Sequence, residues 1–197
     1  MDKEFYYCEL SDEIKTIITG ISFPSNQDSI RISYDDLRYV HVLYVGFDGK
    51  HHEGELIVNA KIACDTVSIF KELFEAGYEI EKIRLIDEYG ADDELSMADN
   101  NSSAFNYRVI ANTDILSNHA LGLAIDINPM YNPYITFIDG KMNVAPDNSK
   151  LYVNRDIEFP HKITSEDLCC VVFKKYGFEW GGDWEGKKDY QHFDKNN

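Results

Sequence analysis

The sequence predicts an α+β fold, an antiparallel sheet flanked by helices. Strand-like and helix-like patterns are mixed without the regular alternation of a doubly wound sheet. Val40 to Phe47 (VHVLYVGF) is strand-rich and runs into Asp48-Gly49-Lys50, which reads as a hairpin turn. Ile62, Thr66, Ile69, Phe70, Leu73 and Phe74 recur at helical spacing, with Asn59 as the expected cap and Gly77 at the stop. Before these, residues 1–55 read as a segment packed on the same domain, with a helix-like start and an alternating run at Ser29 to Ser33. Residues 56–197 then form the main body. Further on, Ile83 to Ile86 is a short strand candidate, and the acidic stretch Asp87 to Asn101 reads as an irregular loop. Residues 123–128 (LAIDIN) alternate as a strand. Asn132-Pro133 and Asp139-Gly140 mark turns. Ser165 is placed to cap a second helix through Val171 and Phe173, ended by Gly177.

Composition narrows the function classes. The chain has 197 residues, 44% hydrophobic and 13% aromatic, which suits one domain with a full core. Its formal net charge is -16, from 35 acidic and 19 basic residues. Such a chain gains nothing from counterion release, so no nucleic-acid partner is expected. The same charge disfavours anionic membranes. No run approaches the roughly 20 apolar residues of a membrane span, and the N-terminus shows no secretory pattern. Synthesis in the cytoplasm is the expectation. The spacing of Cys8, Cys64, Cys169 and Cys170 fits neither a zinc ribbon nor a CxxC motif, so they are expected as buried or half-buried free thiols.

Two segments carry chemistry. In Ser117-Asn118-His119-Ala120-Leu121-Gly122-Leu123-Ala124-Ile125-Asp126, the histidine and aspartate stand seven residues apart. On a strand, Ala124, Asp126 and Asn128 share one face while Ile125 and Ile127 face the core. Gly122 lets the backbone turn so that His119 folds back toward the carboxylate. The second segment is Trp180-Gly181-Gly182-Asp183-Trp184 followed by Asp189-Tyr190-Gln191-His192-Phe193. Together they offer His119, Asp126 and His192 to a metal, a three-ligand set that zinc uses when a fourth position is kept for water. Water on such a site needs a free carboxylate to take its proton, and Asp189 is the candidate.

SNHALGLAID and WGGDWEGKKDYQHF resemble the VanY/D-alanyl-D-alanine carboxypeptidase family of zinc peptidases, the LAS-type metallopeptidases, near its endolysin-like branch. The resemblance runs from about Ile83 to Phe193. It implies a hedgehog/DD-peptidase-like zinc peptidase fold and one Zn²⁺ per chain on His119, Asp126 and His192. It places the general base on Asp189, where many members carry Glu. Ser102 to Arg108 resembles the stretch before the first ligand, so Arg108 is expected to face the substrate carbonyl or carboxylate; the alternative is an ion pair with Asp92, Asp93 or Glu94. Ser117 is expected to bond the substrate or orient a ligand, and Asp183 to support a ligand imidazole or cap a turn. Trp180, Trp184, Tyr190 and Phe193 either wall the cleft or pack in the core, with Trp184 and Tyr190 taken as substrate-binding. His41, His51, His52 and His161 match no family ligand, and His51-His52 reads as surface. The implied partners are peptidoglycan stem peptides, and the implied reaction is D-alanyl-D-alanine carboxypeptidase hydrolysis. The alternatives are an L-alanyl-D-glutamate endopeptidase of endolysin type, or a non-catalytic metal-containing peptidoglycan-binding module.

Overall fold

The structure is a computed structural model that describes residues 3–26, 30–110 and 113–195. The chain opens with strand β1 (Tyr6–Glu9) and helix α1 (Asp12–Ile18), then the long hairpin β2 (Leu37–Val45) and β3 (His51–Asn59). Helix α2 (Ala63–Glu75), strand β4 (Lys82–Ile83), helix α3 (Asp93–Ala98) and strand β5 (Asn101–Ser102) lead to β6 (Ala124–Asp126). A second hairpin, β7 (Tyr134–Ile138) and β8 (Lys141–Ala145), precedes helix α4 (Leu168–Lys175). The chain closes with β9 (Glu179–Trp180), β10 (Lys188–Asp189) and β11 (His192–Asp194).

Helices and mainly antiparallel strands give the α+β character expected, but among the described residues the strands form four small sheets instead of one. Their orders are β1-β2-β3, β10-β7-β8, β6-β11-β9 and β4-β5, the last pair parallel. No helix among the described residues is long and apolar enough to cross a membrane.

The β2–β3 hairpin is the backbone of the molecule. Side chains alternate across a strand, so Leu56 and Val58 enter the main core with α2, while Ile57 enters a second core with Leu10, Ile18, Phe23 and Phe105. A strand buried on both faces ties the N-terminal residues to the rest, and β3 runs straight through position 55. The main core continues through Phe70, Phe173 and Phe193, the last two stacked at 4.2 Å. Each such ring contributes roughly 1.5–3 kcal/mol when fully buried.

Several local expectations are corrected. The first element among the described residues is a strand, and the helix follows it behind Ser11, whose side chain accepts from Ile14 N. Ser29 lies outside the described residues, and residues 30–33 form no strand. Asn59 ends β3 instead of capping α2, whose first turn follows Ile62. Of the candidate strand Ile83 to Ile86 only Ile83 is in a strand, together with Lys82 before it; Ile86–Tyr89 is a 3-10 turn. The acidic stretch 87–101 holds helix α3. Asp92 caps it by accepting from Leu95 N, and Asp93 and Glu94 lie in the positive first turn, so acids that read as loop are helix-start residues. The cap of α4 is Asp167, not Ser165. Cys169 and Cys170 are buried, but Cys8 and Cys64 are exposed.

Candidate metal centre

The centre is built on a cross-strand pair. In the antiparallel ladder of β6 with β11, His192 stands opposite Asp126 and Phe193 opposite Ile125. Ile125 and Phe193 point into the main core, so the pleat sends Asp126, His192 and Asp194 the other way. His119 arrives from the 3-10 turn Asn118–Leu121, which Ser117 caps by accepting from His119 N at 3.2 Å. The turn ends at Gly122, at φ +65. A Cβ there would also lie 2.7 Å from Asn59 N, which donates to the Gly122 carbonyl. The end of β3 therefore holds His119 from behind, helped by Asn59 Nδ2 on the Leu121 carbonyl.

Three donor atoms converge. His119 Nε2 lies 3.2 Å from His192 Nδ1 and 3.3 Å from Asp126 Oδ2, and His192 Nδ1 lies 3.0 Å from Asp126 Oδ1. All three residues are buried. The outward nitrogens are also held: His119 Nδ1 lies 2.6 Å from the Ala104 carbonyl and His192 Nε2 3.4 Å from Asp194 Oδ2. Asn118 Nδ2 donates to Asp194 at 2.5 Å. Partners on the far nitrogens fix ring orientation and leave the near nitrogens free for a cation. Two imidazoles and a carboxylate meeting at one point, buried and supported from outside, fit a metal ion.

The electrostatics agree. Burial pushes the Asp126 carboxyl up, but His119 and His192 together outweigh it and hold it well below the usual range. Burial pushes His192 down, yet hydrogen bonds and charge from Asp126 and Asp194 raise it to about 10. Such a cluster stores charge that a cation would balance.

Residues 111–195 match the family model of D-alanyl-D-alanine carboxypeptidases. The match supports the family resemblance drawn from the two motifs, both of which lie within this segment. No curated protein and no solved structure matches the chain. The family match covers His119, Asp126, Asp189 and His192, whereas Arg108 lies ahead of it.

Asp189 sits in β10, paired in register with Tyr134 of β7. Its Oδ1 is shielded from solvent and has no hydrogen-bond partner. Burial raises its carboxyl to about 6; the charge of His192 opposes the rise and that of Asp126 adds to it. The glycines of the family segment WGGDW now have a reason. A Cβ on Gly181 would lie 2.5 Å from the Asp189 carbonyl oxygen, and one on Gly182 would lie 2.3 Å from the Trp180 indole.

The other expected site residues divide. Arg108 is half-buried and its Nε pairs with Asp93 of α3. Its charge acts on Tyr134, the register partner of Asp189. Ser117 is buried and caps the His119 turn by accepting from His119 N. Asp183 supports no imidazole; it is paired with Lys174 at 2.6 Å, and Asp194 takes that place on His192. Trp180 and Phe193 are core residues. Trp184 is half-buried with its ring 5.2 Å from that of His192, and Tyr190 is half-buried beneath the Arg155 guanidinium at 4.3 Å. His51 is exposed, and His52 bonds Asp48 at 2.9 Å. Asp194, Tyr134 and the Ala104 carbonyl were not singled out in the sequence. Asp194 carried a signal: two residues beyond His192 on a strand, it shares that face.

Proposed function

We propose that the protein is a zinc peptidase that hydrolyses bonds next to D-amino acids in peptidoglycan stem peptides, as a D-alanyl-D-alanine carboxypeptidase. One observation carries the reading: the shielded, unpartnered Asp189 Oδ1 on the strand that leads into the His119–Asp126–His192 cluster. A structural metal site has no use for a carboxylate beside it that keeps one oxygen unpartnered.

His119, Asp126 and His192 would hold the zinc, which would supply acidification of water and Lewis-acid polarisation of the peptide carbonyl. Asp189 takes the proton of the attacking water and returns it to the departing amine. Its raised pKa suits both halves of that exchange. Arg108, kept in place by Asp93, donates to the carbonyl oxygen as charge develops there. Ser117 holds the His119 turn, and Trp184 and Tyr190 wall the substrate side. Residues 56–197 carry this machinery, with 1–55 backing it through the hairpin.

The test is hydrolysis of defined muropeptides by the zinc-loaded protein, beside Asp189→Asn and a chelated control. Release of D-Ala from a pentapeptide by the intact protein alone is the expected result. Cleavage between L-Ala and D-Glu would make it an endopeptidase. Stoichiometric zinc with neither product would leave a binding module.

A further inference from the structure

The rim of the site holds a cation that the proposed chemistry does not use. Lys187 lies in the turn between Trp184 and β10. Its ammonium sits 4.6 Å from the centre of the Trp184 ring and 5.8 Å from that of Tyr134. Both rings border the centre: Trp184 lies 5.2 Å from the His192 ring, and Tyr134 is the register partner of Asp189. Lys187 thus bridges the two aromatic walls, one ring away from a metal ligand and one ring away from the base.

The neighbouring cations are committed. Arg108 is paired with Asp93, Lys174 with Asp183, and Lys188 Nζ donates to the Gly182 carbonyl at 2.9 Å. Lys187 has no ion pair among the described residues; its contacts are the two ring faces. On a chain of net charge -16, a half-buried lysine without a carboxylate partner is unusual company for an active site. An ammonium carries three N–H donors, and ring faces leave them available to an anion.

We propose that Lys187 is the specificity-determining residue that receives the free C-terminal carboxylate of the substrate peptide. The assignment rests on the peptidase reading and deepens it. In a carboxypeptidase the terminal carboxylate lies one residue, about 3.8 Å of chain, beyond the scissile bond. The ammonium shares the Trp184 ring with the ligand His192, which puts it on the rim beside the ligands. Arg108, held by Asp93, is left to the carbonyl oxygen, so the two positive groups serve two different oxygens of the substrate. An endopeptidase, whose substrate continues past the cut, would gain nothing from a cation there.

The test compares binding of an N-acetylated peptide ending in D-Ala-D-Ala with binding of its C-terminal amide. The zinc-loaded Asp189→Asn protein is used so that the peptide survives, and binding is followed by calorimetry and by Trp184 fluorescence. Hydrolysis by the unmutated protein is measured separately. The acid should bind about tenfold more tightly than the amide. Adding Lys187→Ala should abolish that preference at unchanged zinc stoichiometry, and Lys187→Arg should restore most of it. Equal affinity for acid and amide, or a preference that survives Lys187→Ala, overturns the assignment. A protein that hydrolyses no peptide yet shows a Lys187-dependent acid preference sinks the peptidase reading and supports the role of Lys187.

Discussion

His192 and Asp126 face each other across an antiparallel ladder, so a ligand pair separated by 66 residues of chain is fixed by one register. The side chains behind them, Phe193 and Ile125, are fully buried. A one-residue slip of β11 would send the imidazole into the core and a phenyl ring into the site. Burial of the aromatic residue thus enforces the geometry of the metal ligands.

Loss of a ligand should abolish metal binding while leaving the fold largely intact. His119→Ala is the cleanest case, because Asn59 of β3 holds the end of the Asn118–Leu121 turn, donating from N to the Gly122 carbonyl and from Nδ2 to the Leu121 carbonyl. Zinc stoichiometry by elemental analysis should fall from one to near zero, with the circular dichroism spectrum retained. Full zinc in this variant would remove His119 from the ligand set.

The outer support of His192 should be felt as affinity. Asp194→Ala removes the acceptor behind Nε2 and the partner of Asn118. Zinc should bind about 10–100-fold more weakly, with Asp194→Asn intermediate because it keeps an oxygen but loses the charge. Competition with a chromophoric chelator measures this. Equal affinities across the three proteins would make Asp194 a packing residue.

Much of this site was legible in the sequence, and for a definite reason. The ligands lie on short elements whose pattern is local: the alternation in LAIDIN fixes the face of Asp126, and Gly122 marks the turn that returns His119. What escaped depends on distant chain. The sequence offered Asp92, Asp93 or Glu94 as ion partners of Arg108, but the choice of Asp93 needed helix α3, which the acidic run concealed because helix-start acids and loop acids look alike in composition. The core roles of Trp180 and Phe193 depend on α4 and β6 packing around them. The split of the strands into four sheets depends on loop paths that no single-strand pattern encodes.

Metal uptake should depend on pH through His192. Its folded-state pKa, about 10, lies above its ordinary 6.5. In the metal-free protein the protonated ring therefore adds stability that is full below about 6.5 and is lost as pH rises through about 10. The metal takes the neutral ring, so binding near pH 7 should release a proton and tighten as pH rises across that window. Proton release in weakly buffered solution, read with an indicator dye, checks it. Uptake at pH 7 without proton release would contradict the assigned state of His192.

Asp189→Asn should separate catalysis from stability. Turnover should fall by about 10²–10⁴ with zinc stoichiometry unchanged. The folded carboxyl is raised to about 6 from 3.8, so the protonated form is favoured. Its contribution to stability is full below 3.8 and is lost as pH rises through about 6. The neutral amide escapes that loss. The metal-free variant should melt several degrees higher than the unmutated protein at pH 7 and show no such gain near pH 3.5. A lower melting point at pH 7 would mean that the buried carboxylate stabilises the fold, and Asp189 would then be structural.

Gly181→Ala should reach the same carboxylate from behind. The added methyl would lie 2.5 Å from the Asp189 carbonyl oxygen and 2.8 Å from its Cβ. The first of these is backbone, so the strand itself must move. Gly181 has no left-handed backbone, which leaves the close approach as the whole effect. Displacing β10 shifts Asp189 relative to His192 while the β6–β11 ladder, and with it the ligand pair, stays in register. Zinc binding should persist and kcat should fall at least tenfold, since a misplacement of about 1 Å costs on the order of 10²-fold. Stability should drop by about 1–3 kcal/mol, as for other overpacked sites. A Gly181→Ala protein with full turnover would show that the position of Asp189 does not govern the reaction.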